Sequence, residues 1–333
     1  MADLETLIGA QLAIGLPGTE ATQAVIDSLQ RTGAQTLVIF SRNFESPEQF
    51  VGLLHQLHEA LGRRLLVMVD HEGGRVIRFQ GAEGITHFPD AMTMASQHGP
   101  EEVERQGRIE ARELRQLGVH VNLAPCVDVV VEGADPVIGD RSYGPDSLRV
   151  VAFGAARVRG LQAGQVAACA KHFPGLGAVP RDPHRALPTI HLDWPAMETA
   201  HLPPFRAAID AGVAMIMSSH VCYPALGEPD GLPATFSPRL IRRLLRETLR
   251  FSGAILTDDL EMGALRTFGT VGEAAVRAAE AGHDLLLICS GDLAVQEEAL
   301  TCLKRAYQEG RLDSAGLRAS VERLTRVREK FLP

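Results

Sequence analysis

The chain of 333 residues is 45% hydrophobic and 22% charged, with a formal net charge of −8, which is the profile of a globular protein rather than a disordered tail. That acidity argues against general nucleic-acid or anionic-membrane binding, and no apolar run reaches the roughly 20 residues needed to span a bilayer. The opening residues, Met1-Ala2-Asp3-Leu4-Glu5, lack the basic head and apolar stretch of a secretory signal, so a cytoplasmic location is expected.

Taken in order, short apolar runs alternate with longer amphipathic ones. Strands are predicted at 11–15, 36–40, 65–69, 120–124, 166–170, 214–217, 254–257 and 284–288. Helices are predicted between them at 19–31, 47–61, 101–117, 147–163, 197–211, 238–249, 271–281 and 293–308, with a last one at 314–331. Strands alternating with helices imply a parallel sheet, and eight such units predict a single (β/α)8 TIM barrel over residues 1–333, with the last helix packing on it. A doubly wound open sheet is the competing architecture, but Gly15-Leu16-Pro17-Gly18 stands where its nucleotide fingerprint would be. The five cysteines, Cys126, Cys169, Cys222, Cys289 and Cys302, form no C-x-x-C pair and fall mostly in apolar segments. They are expected to be buried, reduced thiols.

Barrel enzymes place their chemistry at the C-terminal ends of the strands, and polar residues crowd these positions. Asp70-His71-Glu72-Gly73-Gly74-Arg75 and Arg78 follow the third strand; Asp128 and Gly139-Asp140-Arg141-Ser142 follow the fourth. Lys171-His172 ends the fifth, Ser218-Ser219-His220 the sixth, and Thr257-Asp258-Asp259 the seventh. The loop after Lys171 is held by Pro174, Pro180 and Pro183, while Gly175 and Gly177 allow conformations other residues avoid. It ends in Asp182-Pro183-His184, a carboxylate placed to orient an imidazole for proton transfer. Structural readings compete: Asp140 is expected in an ion pair, and His71, His191 and His283 are expected to be structural. His220 is balanced between core and site. Asp258 and Asp259 are adjacent, so one is expected to face the site and the other to cap the next helix. No H-x-H or H-E-x-x-H spacing appears, and Arg78, Arg141 and Lys171 would oppose a cation, so no metal and no cofactor are expected.

This set suits hydrolysis of a glycosidic bond, which needs a nucleophile below the sugar carbon and an acid at the leaving oxygen. Asp258 is the candidate nucleophile, with Lys171 and the arginines expected near its charge. His184 is the candidate acid/base and Asp182 its partner. Asp70, Arg78, Arg141, Lys171 and His172 are candidates for binding sugar hydroxyls.

The segment 171–184 also resembles the signature of bacterial β-N-acetylhexosaminidases of glycoside hydrolase family 3, K-H-(F/I)-P-G-(H/L)-G-x-x-x-x-D-(S/T)-H. Supporting resemblances cover Phe40-Ser41-Arg42-Asn43, residues 70–78, Ala124-Pro125-Cys126-Val127-Asp128, residues 138–143, Pro233-Ala234-Thr235-Phe236-Ser237 and residues 257–262. The resemblance implies a retaining mechanism in the same residue roles. It also implies exo-acting release of GlcNAc from cell-wall turnover fragments such as GlcNAc-1,6-anhydro-MurNAc with or without peptide, in peptidoglycan recycling. The expected partner is a small carbohydrate, a muropeptide or chitooligosaccharide fragment, bound by a monomer. Three positions depart from the pattern: Pro183 replaces Ser or Thr, Leu176 is the leucine variant, and His71 replaces the usual Gln. Phosphorolysis or transfer, β-glucosidase activity and a non-catalytic sugar-binding role are the alternatives.

Overall fold

A computed structural model describes residues 3–332. Eight strands, β1 (Leu12–Gly15), β2 (Thr36–Ile39), β3 (Leu66–Val69), β4 (Val121–Asn122), β5 (Ala167–Phe173), β6 (Met215–Ser218), β7 (Ala254–Asp259) and β8 (Leu285–Ile288), close in chain order into a barrel. Each is parallel to its neighbour, with β8 returning to β1. The chain is therefore a TIM barrel.

Alternation along the strands sorts side chains into two cores. Ala13, Val38, Met68, Cys169, Met215 and Leu256 fill the interior. Their neighbours, such as Leu12, Ile14, Leu37, Ile39, Val67 and Val69, pack outward under the helices. Leu324, Val327 and Phe331 of the final helix, Ser314–Phe331, join the interior cluster and cover one mouth of the barrel.

Several boundaries depart from expectation. β4 is only two residues long, because Pro125 cannot donate to a ladder; beyond it the chain touches β5 through a bridge from Cys126 to Lys171. β5 and β7 run longer, so Lys171, His172, Asp258 and Asp259 lie on the strands themselves. The predicted helix 197–211 is divided into a wide turn at Met197–His201 and a helix at Pro203–Asp210, since Pro203 and Pro204 offer no N–H to the preceding turn. Two short helices, Leu4–Ala10 and Ala91–Gln97, were not anticipated.

One ion pair lies wholly within the outer core. Arg157 and Glu110 are each 2% exposed at the side chain and bonded at 2.6 Å. Asn122 at the end of β4 also donates to Glu110, and its amide clasps the backbone of His71, receiving the N–H at 3.0 Å and donating to the carbonyl at 2.7 Å. Arg157→Met strands the Glu110 charge and is expected to cost about 3–5 kcal/mol in urea unfolding, with the further change Glu110→Gln recovering much of it. An unchanged unfolding midpoint in the single variant would show that the pair does not support the fold.

Candidate active site

A cleft of about 480 Å³ opens at the C-terminal ends of the strands. Its floor is apolar: Val38, Leu123, Met217 and Leu287, contributed by the even-numbered strands or the residue just beyond one. That is the layered packing of a barrel interior, so the cleft rests on side chains that cannot sink. The eight residues singled out from sequence, Asp70, Arg78, Arg141, Lys171, His172, Asp182, His184 and Asp258, all line this cleft.

Five charged groups form one wall. Lys171 Nζ lies 2.6 Å from Asp70 Oδ1 and 2.6 Å from Glu72 Oε1, and its side chain is only 2% exposed. Arg78 takes the other oxygen of Asp70 at 3.1 Å, and Arg141 holds Glu72 through two bonds of 2.9 and 2.8 Å. Burial alone would push the Lys171 ammonium toward its neutral form, but Asp70 and Glu72 more than reverse this and hold its pKa above the usual lysine value. Both carboxylates, which burial would push up, sit below their ordinary values: for Asp70 through Lys171 and Arg78, for Glu72 through Arg141 and Lys171. Asp70, Glu72 and Lys171 are therefore each held in the charged form at neutral pH. Lys171 and the arginines were expected near Asp258, but their hydrogen bonds go to Asp70 and Glu72 instead. Asp140 is ion-paired as expected, with Arg75 rather than its neighbour Arg141.

His172 is set by Asp128, which is fully buried. The Asp128 carboxylate accepts from the His172 ring at Nδ1 (2.7 Å), from the His172 backbone N–H and from the Cys126 thiol. This turns His172 Nε2 toward Arg141, 3.5 Å away. A register shift in the β5–β6 pairing between Ala170 and Phe173 accompanies two successive residues, Lys171 and His172, facing one cleft. Cys126, Asp128 and His172 form the one group among the described residues close enough to hold a metal ion. Their ligand atoms are instead engaged with one another.

The loop after β5 carries the second imidazole. Asp182 Oδ1 receives both the backbone N–H and ring Nδ1 of His184, at 2.9 and 2.6 Å. Burial pushes the Asp182 carboxyl up, yet these bonds from His184 hold it below its ordinary value. Gly175, at φ +136°, does occupy a conformation other residues avoid, whereas Gly177 is needed for space: a Cβ there would lie 1.9 Å from the carbonyl oxygen of Val129. Pro183 is buried, its carbonyl accepts the N–H of Ala264, and the His184 carbonyl accepts that of Gly263. The dyad loop is thus tied by backbone to the segment following β7.

On β7, both Asp258 and Asp259 line the cleft, contrary to the expected alternation, because the β7–β8 register shifts between Leu256 and Asp259. The helix cap foreseen for one of them is not formed: the next helical turn, Gly263–Phe268, begins after Met262 without a side-chain cap, and Asp259 Oδ1 instead accepts from the N–H groups of Glu261 and Cys289. Burial pushes its carboxyl up from 3.8 to about 7; the backbone bond from Glu261 opposes this, and the charges of Glu261 and Asp258 add to it. His220 is a satisfied core residue, bonded to Thr235 and to the Asp259 carbonyl. His71 and His283 are buried and bonded, and burial drives both rings down to about 3, so they stay neutral. His191 is exposed. The residues that sequence reasoning passed over are Glu72 and Asp128. Both stand inside segments already noted for their polarity, and only their partners reveal their importance.

The model of the glycosyl hydrolase family 3 N-terminal domain matches residues 8–327. The chain belongs to glycosyl hydrolase family 3. This family 3 enzyme, a glycoside hydrolase, is 36% identical over 285 residues to a β-hexosaminidase of Methylobacillus flagellatus, covering 84% of this chain and 80% of the relative. A β-hexosaminidase of Nitrosomonas eutropha is 35% identical over 312 residues, 92% of this chain and 87% of that one. The solved family 3 β-N-acetylglucosaminidase from Paenibacillus sp. str. FPU-7 superposes with a TM-score of 0.95 at 36% identity; this chain is matched over its whole length and spans 63% of that longer protein.

The raised Asp259 gives the family 3 enzyme a defined pH response. The folded state holds a proton that the unfolded chain releases above about 4, so this contribution to stability is full below that pH and is lost as pH rises through about 7. Relative to wild type, Asp259→Asn is expected to gain stability steadily from pH 4 to pH 8 in urea titrations. Parallel stability profiles for the two proteins would refute the assignment.

Proposed function

We propose that this chain is a retaining exo-β-N-acetylglucosaminidase, with Asp258 as nucleophile, His184 as acid/base and Asp182 as its orienting partner. The observation that carries the reading is the meeting of these three residues in one cleft beside the charged wall of Asp70, Arg78, Arg141 and Lys171. The names of its relatives support the choice of an amino sugar.

In the first step an Asp258 oxygen attacks the anomeric carbon, the bond to the leaving oxygen breaks, and protonated His184 delivers a proton to that oxygen. In the second, neutral His184 takes a proton from water as the water oxygen attacks the same carbon, freeing the Asp258 carboxylate. Asp182, engaged with Nδ1, fixes the tautomer so that Nε2 carries the transferable proton. Asp70, Arg78, Arg141, Lys171 and His172 bind the ring hydroxyls. Arg78 Nε, buried and without a partner among the described residues, is one donor left for a ligand. The substrate proposed is the β-linked GlcNAc end of a cell-wall fragment, GlcNAc-1,6-anhydro-MurNAc with or without peptide, cleaved by a monomer in the cytoplasm during peptidoglycan recycling. Five free cysteines are compatible with a reducing compartment.

Asp258→Asn is expected to lose nearly all release of p-nitrophenol from its β-GlcNAc glycoside; full activity would refute the nucleophile. His184→Ala is expected to slow natural disaccharides by about 10²–10⁴-fold and activated aryl glycosides much less, since good leaving groups need little protonation. Equal losses on both would count against the acid/base role. In an aryl-glycoside panel of GlcNAc, GalNAc, glucose and xylose, preference for glucose would overturn the substrate while sparing the mechanism.

A further inference from the structure

The leaving group departs on the side of His184, and on that side the cleft does not end. A second, more open cavity of about 850 Å³ adjoins it, sharing Arg75, Val137 and Asp182 with the first. This space is open to a group attached to the departing oxygen.

The charges around it are unevenly engaged. Arg75 is held by Asp140 and by the carbonyls of Pro136, Val137 and Ile138. The Asp135 carboxylate accepts the N–H of Val137, and Asp182 is bound to His184. Arg181 and Arg185 remain. Both line the cavity, both are exposed, and among the described residues neither is paired with a carboxylate. They flank Asp182 and His184 in sequence, so the loop that carries this pair also brings two guanidiniums to the cavity, of which Arg185 lies near enough to act on the Asp182 charge without an ion pair at hydrogen-bond distance. The cavity lining as a whole is balanced, Arg75, Arg181 and Arg185 against Asp135, Asp140 and Asp182, but Asp140, Asp135 and Asp182 are each engaged in hydrogen bonds, which leaves Arg181 and Arg185 to face the opening.

We propose that Arg181 and Arg185 form an anion-binding subsite for the leaving group, selecting aglycones that carry a carboxylate. Guanidinium groups match carboxylate geometry with paired N–H donors, and an open, wet cavity suits an acidic substituent that stays hydrated. This deepens the proposed glucosaminidase reading and rests on it. The sugar is read by the deep cleft, and the acid on its neighbour by the dyad loop.

The test compares two aryl β-N-acetylglucosaminides, the 4-carboxyphenyl glycoside and its methyl ester, by kcat/KM at low ionic strength. The ratio of acid to ester within each protein cancels any general effect of a substitution on the dyad. Arg181→Gln and Arg185→Gln are each expected to lower that ratio by about three- to fivefold, in keeping with exposed ion pairs, and the double variant by the product. The Lys versions should retain more of it, and salt at about 0.5 M should bring the wild-type ratio toward that of the double variant. An unchanged ratio in the double variant, with turnover of both glycosides, would overturn the subsite alone. No turnover of either glycoside by the wild-type enzyme would instead sink the glucosaminidase reading. Stimulation by inorganic phosphate with GlcNAc 1-phosphate as product, lost in the double variant, would assign the arginines to the attacking acceptor and also overturn the proposal.

Discussion

A lysine ammonium with almost no access to water sits at the centre of this structure. Removing such a charge from solvent costs several kcal/mol, and the cost is offset only if partners stand at hydrogen-bond distance. Lys171 has two, Asp70 and Glu72, and each of those is a largely buried acid that has a further cation, Arg78 or Arg141. The five groups are interdependent, so the ends of β3 and β5 and the loop after β4 settle together. Cleft shape and cleft charge are two aspects of one arrangement.

Around that wall, rigidity comes from bonds that face away from the cleft. Asp128 locks one imidazole from behind, and Asn122 joins the backbone of His71 to the buried Glu110–Arg157 pair. His71 in turn receives the backbone N–H of Arg78. Contacts therefore run from an outer helix to a cleft-lining arginine without passing through a mobile loop. Site groups supported in this way need little reorganisation when a ligand arrives.

Much of this was legible in the residues. The helix Pro47–Leu61 is bracketed by Ser46 and Gly62, and Val271–Ala281 by the Thr270–Glu273 capping box and Gly282; both appear where predicted because such signals are local. The strand-end cluster of acids, imidazoles and guanidiniums was legible because barrel topology gathers those positions. Pairing was not. Asp140 and Arg141 are adjacent in sequence yet bond to Arg75 and Glu72, partners 65 and 69 residues away. The facing of Asp258 and Asp259 depended on a slip in strand register, which period-two reasoning does not contain. The short β4 followed from a proline that apolar patterning passes over.

The stitch between the dyad loop and the segment after β7 uses only main-chain atoms: the carbonyls of residues 183 and 184 and the amides of 264 and 263. Every amino acid possesses a carbonyl. Proline can therefore occupy position 183 without disturbing the bonds that tie the loop of Asp182 and His184 to the segment after β7. The duty of position 183 in this stitch belongs to the polypeptide and not to any side chain.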